Sequence, residues 1–304
     1  RADGTWHTDG ELRFTNLRLY DKTVSPRGTA VLRGRVKCRR GAAHPYRIDD
    51  LIFDLKIGAA TCKLQSNAAW REQDLSYKVK GEMTSFPLAP ILKHAAGAET
   101  AEQFSGTMSR LSFEAAAEHG WTQPLTARVK GDGSLRLHDL VMQNVPALQH
   151  IARNRGLPAL KALRFDRVLS RFAVGGNTLT ISGLRATGPD LMLRGGGTVA
   201  LGGANAVNFQ INELAFGGDL LDQLQNKKIS AVLTSSSQSG FMRFPGSLPL
   251  SGTLRSPRTM LVPLTATIFL RAGKTYIQRA FEKDNKQTGG GLGEKLLHRF
   301  LQQR

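Results

Sequence analysis

The sequence predicts a mainly β fold, in which a largely antiparallel sheet is built as a meander with a few short helices inserted. Apolar and polar residues alternate with a period of two along much of the chain, a pattern typical of strands with one apolar face. Gly, Asn and Asp residues separate most of these runs, as they do in tight turns. Most connections are too short for the crossover helices that parallel strands require, which indicates antiparallel pairing.

The alternation begins near the N-terminus and recurs along the chain. Leu12 and Phe14 open the first run, and Val31 and Val36 belong to the second. Successive side chains of a strand point to opposite sides, so each run is predicted to bury one face and expose the other. Further strands are predicted over 47–58, 75–83, 108–117, 126–140, 171–186, 190–201 and 206–214.

Helical periodicity interrupts the strands at three places. The segment 87–97 carries apolar residues at helical spacing, namely Leu88, Ile91, Leu92 and Ala95. A pair of helices is predicted over 145–165, with a break at Gly156 and Pro158. A third helical segment is predicted over 217–228, where two final lysines suit the negative end of a helix dipole.

A terminal amphipathic helix is predicted after a glycine hinge at 289–291. Its apolar residues recur at helical spacing and suit docking onto a membrane or a partner protein. The alternatives are that it caps an open end of the sheet or packs on the sheet as an ordinary surface helix. The stripe consists of Leu292, Leu296, Leu297, Phe300 and Leu301. We therefore predict one β domain over 1–288, followed by the hinge and helix over 289–304.

Composition and charge limit the classes of function. The 304 residues include 42 Lys and Arg against 24 Asp and Glu, a formal net charge of +18. No run reaches the roughly 18 consecutive apolar residues of a membrane-spanning helix. The chain begins at Arg1 without a signal-peptide core, so we interpret it as a fragment whose targeting segment lies upstream.

The two cysteines allow two interpretations. Cys38 and Cys62 are too isolated, and too far from paired histidines, for a structural zinc site. In an oxidising compartment they could form a disulfide between neighbouring strands. The alternative is a pair of buried free thiols, and the sequence does not decide between the two.

Catalytic templates do not fit this sequence. None of the seven histidines belongs to an H-E-x-x-H motif, and no G-x-S-x-G elbow occurs. Gly273, Lys274 and Thr275 resemble the end of a phosphate-binding loop, but Ile268 stands where that loop requires glycine. We therefore predict a protein that is not an enzyme and that uses no metal and no cofactor.

Basic residues are dispersed along the polar sides of the predicted strands, as at Arg33, Arg35, Lys78 and Lys80. Nucleic-acid binders of this charge usually add stacking aromatic residues, and only 7% of the residues are aromatic, so we do not expect nucleic acid as a partner. A solvated outer face is one interpretation of the charge. Attraction to anionic lipid headgroups is the other.

The order of several motifs resembles the C-terminal region of the AsmA-like family, whose relatives include TamB and YhdP. The chain carries G-T-M-S-R-L-S-F-E at 106–114 and V-K-G-D-G-S-L-R-L-H-D-L at 129–140, and then a helical insert. L-R-G-G-G-T-V-A-L follows at 193–201, and P-L-S-G-T-L-R-S-P at 249–257. The resemblance covers about 75–260 and ends with a G-T-L-x-x-P element.

This resemblance implies an elongated, curved and twisted sheet that forms an apolar groove in the envelope of diderm bacteria. Such proteins carry phospholipid between the inner and outer membranes, which implies a periplasmic location. An N-terminal helix would anchor the protein to the inner membrane, and this chain lacks it.

Alternation within the predicted strands nominates the residues that would line the groove and contact phospholipid acyl chains. An equally open interpretation of each is an ordinary core position beneath the inserted helices. The candidates are Leu191, Leu193, Val199, Leu201, Phe209 and Ile211. The function expected from the sequence is therefore non-enzymatic lipid handling; the rival is a basic scaffold or outer-membrane assembly factor that binds proteins or polyanions through its outer face.

Overall fold

A computed structural model describes residues 4–19, 22–38, 46–71, 74–95, 97–120, 129–201, 206–226, 233–253 and 257–258. Within these ranges the chain forms one open antiparallel sheet of sixteen strands with a few short helices. From β1 to β12 the strands follow one another in chain order, apart from the short β6 at the side of β7. The predicted antiparallel meander is therefore confirmed.

The long strands carry most of the sheet, and the short ones complete its end. Their bounds are β1 Gly4–Leu19, β2 Lys22–Cys38, β3 Tyr46–Ile57, β4 Ala60–Arg71, β5 Asp74–Thr84, β6 Phe86–Pro87, β7 Phe104–Gly120, β8 Lys130–Gln143, β9 Ala162–Gly175, β10 Thr178–Thr187, β11 Leu191–Ala200, β12 Ala206–Phe216, β13 Thr234–Ser235, β14 Met242–Arg243, β15 Leu248–Thr253 and β16 Pro257–Arg258. Beside β12, β14 pairs near one end and β15 near the other.

A two-residue turn joins β9 to β10 and shows why the strands succeed one another so closely. Gly176 and Asn177 both have positive φ, at 56° and 58°. Two consecutive positive φ values define a type I′ turn, whose twist matches that of the flanking strands. Glycine and asparagine tolerate this conformation better than other residues. The hairpin is thus set by local sequence.

Four α-helices and one 3₁₀ turn interrupt the described sheet. They are α1 Leu88–Ala95, α2 Ala98–Gln103, α3 Pro146–Arg155, the 3₁₀ turn Pro158–Lys161, and α4 Gly218–Asn226. Helix was predicted over 87–97, over the first part of 145–165 and over 217–228, and these predictions are confirmed. The second helix predicted within 145–165 is only the 3₁₀ turn Pro158–Lys161, because β9 already begins at Ala162. Helix α2 was not predicted, since its six residues carry no apolar stripe.

Helix α3 ends where the sequence indicates. Gly156 adopts a left-handed conformation with φ 59° and ψ 48°. The Leu157 amide then donates to the Ala152 carbonyl at 3.0 Å, as in a Schellman cap. Pro158 starts the 3₁₀ turn immediately afterwards. The chain is thereby redirected into β9.

The main hydrophobic cluster lies between the helices and one end of strands β7 to β12. It joins apolar residues of the sheet to residues of α1, α3, the 3₁₀ turn and α4. Leu220 of α4 is the most enclosed large side chain, with 1% of its surface exposed. The buried members are Leu88, Met108, Leu137, Leu148, Leu157, Leu163, Phe165, Val168, Ala186, Leu191, Leu214, Phe216, Leu220, Leu224, Leu233 and Phe244.

Candidate functional site

Strand register sorts the side chains of the sheet onto an apolar face and a polar face. In β4, Leu64 is half-buried while its neighbours Lys63 and Gln65 are exposed. Directly paired residues of adjacent strands share a face. Leu64 pairs with Phe53 on one side and with Gly81 on the other, so the apolar face continues from strand to strand.

One line of paired residues crosses eleven strands of the apolar face, and we call it the central row. Ten spacings between neighbouring strands make it about 48 Å long. Every member is apolar or glycine. In strand order the members are Leu32, Phe53, Leu64, Gly81, Phe113, Gly133, Phe172, Ile181, Gly197, Phe209 and Leu250.

Glycines in the central row make room for the rings beside them. A methyl group added at Gly81 would come within 2.5 Å of the Phe113 ring, and one added at Gly133 within 2.4 Å of the Phe172 ring. The phenyl rings therefore lie down across neighbouring glycines, a packing known to protect glycine in strands. The rings therefore lie flat on the sheet and give it an aromatic surface.

A second row runs beside the central row and contains one hydroxyl among apolar residues and glycines. Its members are Leu51, Ser66, Val79, Ala115, Gly131, Val174, Leu179, Val199, Val207 and Gly252. Together the two rows form what we call the open half of the apolar face. No member of either row belongs to the cluster that the described helices complete. The helix-covered part is called the covered half.

Most large side chains of the open half are half-buried, and Leu32 at one end is 42% exposed. Two rows about 13 Å wide together and about 48 Å long present roughly 600 Å² of surface. The largest apolar patch on an ordinary monomer is about 300–600 Å² and is often functional. The open half is therefore the candidate site.

Five of the six predicted lining residues divide between the two halves, and the sixth, Leu201, lies outside both. Leu191 is buried in the covered half, and Leu193 and Ile211 pack against its cluster. Val199 lies in the second row, and Phe209 lies in the central row. Leu201 follows β11 and is half-buried, with its amide donating to the Asn177 carbonyl at 2.6 Å.

The sequence prediction omitted most of the central row, including Leu64, Phe113 and Phe172. The signal that could have found them is a glycine in one strand opposite a phenylalanine in the next. Detecting that signal requires the register between strands, which single-strand alternation does not contain.

Cys62 is a free, buried thiol. Burial, with a smaller contribution from the nearby Asp54 charge, raises the pKa of the Cys62 thiol. Cys38 pairs with Tyr46, which in turn pairs with Trp70, eight positions along β4 from Cys62. At about 3.3 Å per residue, that separation is too long for a disulfide. The predicted terminal stripe, from Leu292 to Leu301, lies outside the described residues.

The polar face carries charges of both signs, and some are paired. Lys78 forms an ion pair with Glu114, and Arg110 pairs with Glu82 at 3.1 Å. The Lys78 hydrogen bond, and then its charge, lower the pKa of the Glu114 carboxyl. All four groups are well exposed, so such pairs contribute little to stability.

Two open depressions are described on this face, of about 800 Å³ and 870 Å³. Arg47, Lys78 and Lys130 line the first, together with Asp49. The second contains as many basic as acidic side chains: Lys63, Lys80, Arg110 and Arg171 beside Asp54, Glu82, Glu114 and Asp132. Neither arrangement brings together an acid, a base and a nucleophile in an enclosed site.

Within the described ranges, no group of three or more His, Cys, Asp and Glu residues has the geometry to hold a metal ion. The described helices are also too short or too polar to cross a bilayer.

Comparison with known proteins gives no family for this chain. No protein-family model, curated protein or solved structure matches it.

Proposed function

We propose that the protein binds phospholipid acyl chains on the open half of its apolar face and helps to carry phospholipid between two membranes. The observation that carries this proposal is the central row, which crosses eleven strands without a polar side chain. An apolar ligand would stabilise this surface, because the exposure of apolar side chains to water is unfavourable in free energy.

Acyl chains suit this surface in both size and chemistry. They are long, flexible and apolar, and the central row offers them an apolar strip about 48 Å long. Removing apolar surface from water yields about 25 cal/mol per Å², so a few hundred Å² of contact would contribute several kcal/mol. The contact is non-directional, so a chain can shift along the row without breaking specific bonds. Transport by solvation and sliding needs no bond chemistry, and the protein acts without being an enzyme.

The resemblance to the AsmA-like family supports the cellular part of the proposal. It implies a sheet that is located in the periplasm, curved into a groove and anchored at the inner membrane. The terminal stripe from Leu292 to Leu301 would then contact a membrane surface or an envelope protein.

A paired set of variants tests the proposal. Leu64→Asp with Ile181→Asp places two charges in the central row, whereas Gln65→Asp with Thr180→Asp places the same charges on the polar face of the same strands. The proteins are purified from bacterial envelopes, and their extracted lipids are quantified by mass spectrometry. We expect phospholipid to co-purify with the parent and the polar-face variant, and to fall several-fold in the central-row variant.

Circular dichroism establishes that the variants are folded. If Leu64→Asp with Ile181→Asp does not fold, Leu64→Ser with Ile181→Ser provides a milder test in the same direction. Lipid retained by a folded central-row variant, or a parent with no more lipid than a control protein, would refute the proposal.

A further inference from the structure

A compact array of donors lies on the polar face of β8, β9 and β10, opposite the apolar face. Leu169 of β9 is its centre, flanked along the strand by Arg167 and Arg171. Across the sheet, Leu169 pairs with Arg136 of β8 and Arg185 of β10. We call the four arginines around Leu169 the arginine ring. All four are exposed, and Leu169 is half-buried.

The corners of the array are also hydrogen-bonding residues. Ser134 and Ser182 stand opposite Arg171, while His138 and Thr187 stand opposite Arg167. Neighbouring strands are about 4.8 Å apart, and alternate residues of one strand are about 6.7 Å apart. The Cα atoms of four arginines and four smaller polar residues therefore surround that of Leu169 within a patch about 10 Å by 13 Å.

Within the described residues no ion pair neutralises the arginines of this patch, although Arg171 shares the second depression with Glu114 and Asp132. Arg136 pairs across the sheet with Arg110, and Arg185 pairs with Arg194, and directly opposed like charges destabilise a sheet. Arg110 and Arg194, which lie outside the ring, form ion pairs of their own. Arg110 pairs with Glu82 at 3.1 Å, and Arg194 pairs with Glu213 at 3.3 Å.

For the ring itself, no described carboxylate forms an ion pair with any of the four arginines. Asp139 and Asp166 lie beside it along the chain, and they too form no described ion pair. An external anion would therefore relieve the repulsion among these arginines.

Phosphate is the anion that this chemistry favours. A guanidinium group presents a planar fork of donors that matches phosphate oxygens, and strand register makes four arginines the neighbours of Leu169. Arg171 lies at the edge of the second open depression, whereas Leu169, Arg136 and Arg185 line neither depression, so most of the ring lies on an open surface. An open surface suits phosphates that are themselves displayed on a surface, where many weak contacts act together.

We infer that the arginine ring binds the phosphate groups of an anionic phospholipid surface and holds the polar face of the sheet against a membrane. Nucleic acid is the less favoured phosphate source, because the array around Leu169 contains no Phe, Tyr or Trp for base stacking. The inference does not rest on the lipid-carrying proposal, since the ring and the open half lie on opposite faces.

Vesicle co-sedimentation tests the inference with the whole chain. Vesicles of phosphatidylglycerol mixed into phosphatidylcholine are compared with vesicles of phosphatidylcholine alone. Arg136→Gln with Arg185→Gln removes two charges from the ring, and Lys56→Gln with Lys63→Gln removes two exposed charges elsewhere on the same face. We expect the ring variant to bind anionic vesicles about tenfold more weakly or worse, and the lysine variant to lose less than about threefold.

Three outcomes would overturn the inference. The first is an equal loss in both variants, which would mean that only net charge matters. The second is a parent that binds both kinds of vesicle alike. The third is displacement by micromolar inorganic pyrophosphate, which would assign the ring to a soluble phosphate.

Two readouts separate this inference from the proposal for the apolar face. An Arg136→Lys with Arg185→Lys variant keeps the charge without the fork, and we expect it to bind between the parent and the glutamine variant. Co-purified phospholipid should be unchanged in the ring variant, because its apolar face is intact. Loss of vesicle binding with retained co-purified lipid would thus support the ring independently.

Discussion

Two phenylalanines of β9 lie on the apolar side of the same strand in different surroundings. Phe165 is in the covered half and is 3% exposed, whereas Phe172 is in the central row and is half-buried. Between the two phenylalanines, the alternation of buried and exposed residues along β9 is interrupted by two consecutive exposed residues, Asp166 and Arg167. The same strand therefore contributes to a closed core at one end and to an open apolar surface at the other.

The position of the helices explains this difference. The connections that contain α1 and α2, α3 with the 3₁₀ turn, and α4 all leave the strands at one end of the sheet. Helices in these connections can pack only on the strand ends beside them. At the opposite end, Gly176 and Asn177 make a tight turn that provides no cover. Among the described connections, those that contain helices border the covered half, and this two-residue turn borders the open half.

The largest effect is expected from truncating the two phenylalanines separately. Phe165→Ala should lower the free energy of unfolding by about 3–5 kcal/mol, because it leaves a cavity in an enclosed core. Phe172→Ala should cost about half as much or less, because its ring is already partly in contact with water. Urea unfolding of both variants measures the two losses. Equal losses would show that the open half is packed as tightly as the covered half.

The next effect concerns the contact between Gly81 and the Phe113 ring. Gly81→Ala should destabilise the protein by about 1–3 kcal/mol, because the added methyl group overlaps the ring. In a Phe113→Ala background the same change should cost less than half as much, because the ring overlap is gone and only the end of the flexible Leu64 side chain, 2.7 Å from the added carbon, has to shift. A double-mutant cycle by thermal unfolding measures the coupling. Additive effects would show that the ring does not lie over the glycine.

The smallest effect is expected on the polar face, at the pair of Lys78 and Glu114. The folded-state pKa of Glu114 is lowered, so the pair stabilises the protein above the unfolded-state pKa, and this contribution disappears as pH falls through the lowered value. Lys78→Met should raise the pKa of Glu114. Carboxyl titration by NMR measures this pKa, and an unchanged value would show that Lys78 does not pair with Glu114.

The lining residues chosen from alternation show how far the sequence could locate the site. Leu191 and Phe209 have equivalent patterns in sequence, yet Leu191 lies beneath the helices and Phe209 lies in the central row. Alternation identifies the face of a strand to which a residue belongs. It does not contain the position of a helix that packs from another part of the chain.

The arginine ring illustrates the same limit. Its residues come from β8, β9 and β10, and the sequence alone shows them as scattered basic positions. Their grouping around Leu169 depends on the register of both strand pairs, including a shift of register in β10 between Ser182 and Arg185. A change of one residue in that register would move Arg185 to the other face.

The sequence by itself determined the local features of this protein: the alternating strands, the turn at Gly176 and Asn177, and the end of α3 at Gly156. These depend on side-chain periodicity and on backbone conformations that few residues adopt. Only the tertiary structure decided that glycines and phenyl rings form one continuous row, that helices cover half of the apolar face, and that four arginines surround Leu169. These features depend on strand register and helix packing, which join residues far apart in the chain.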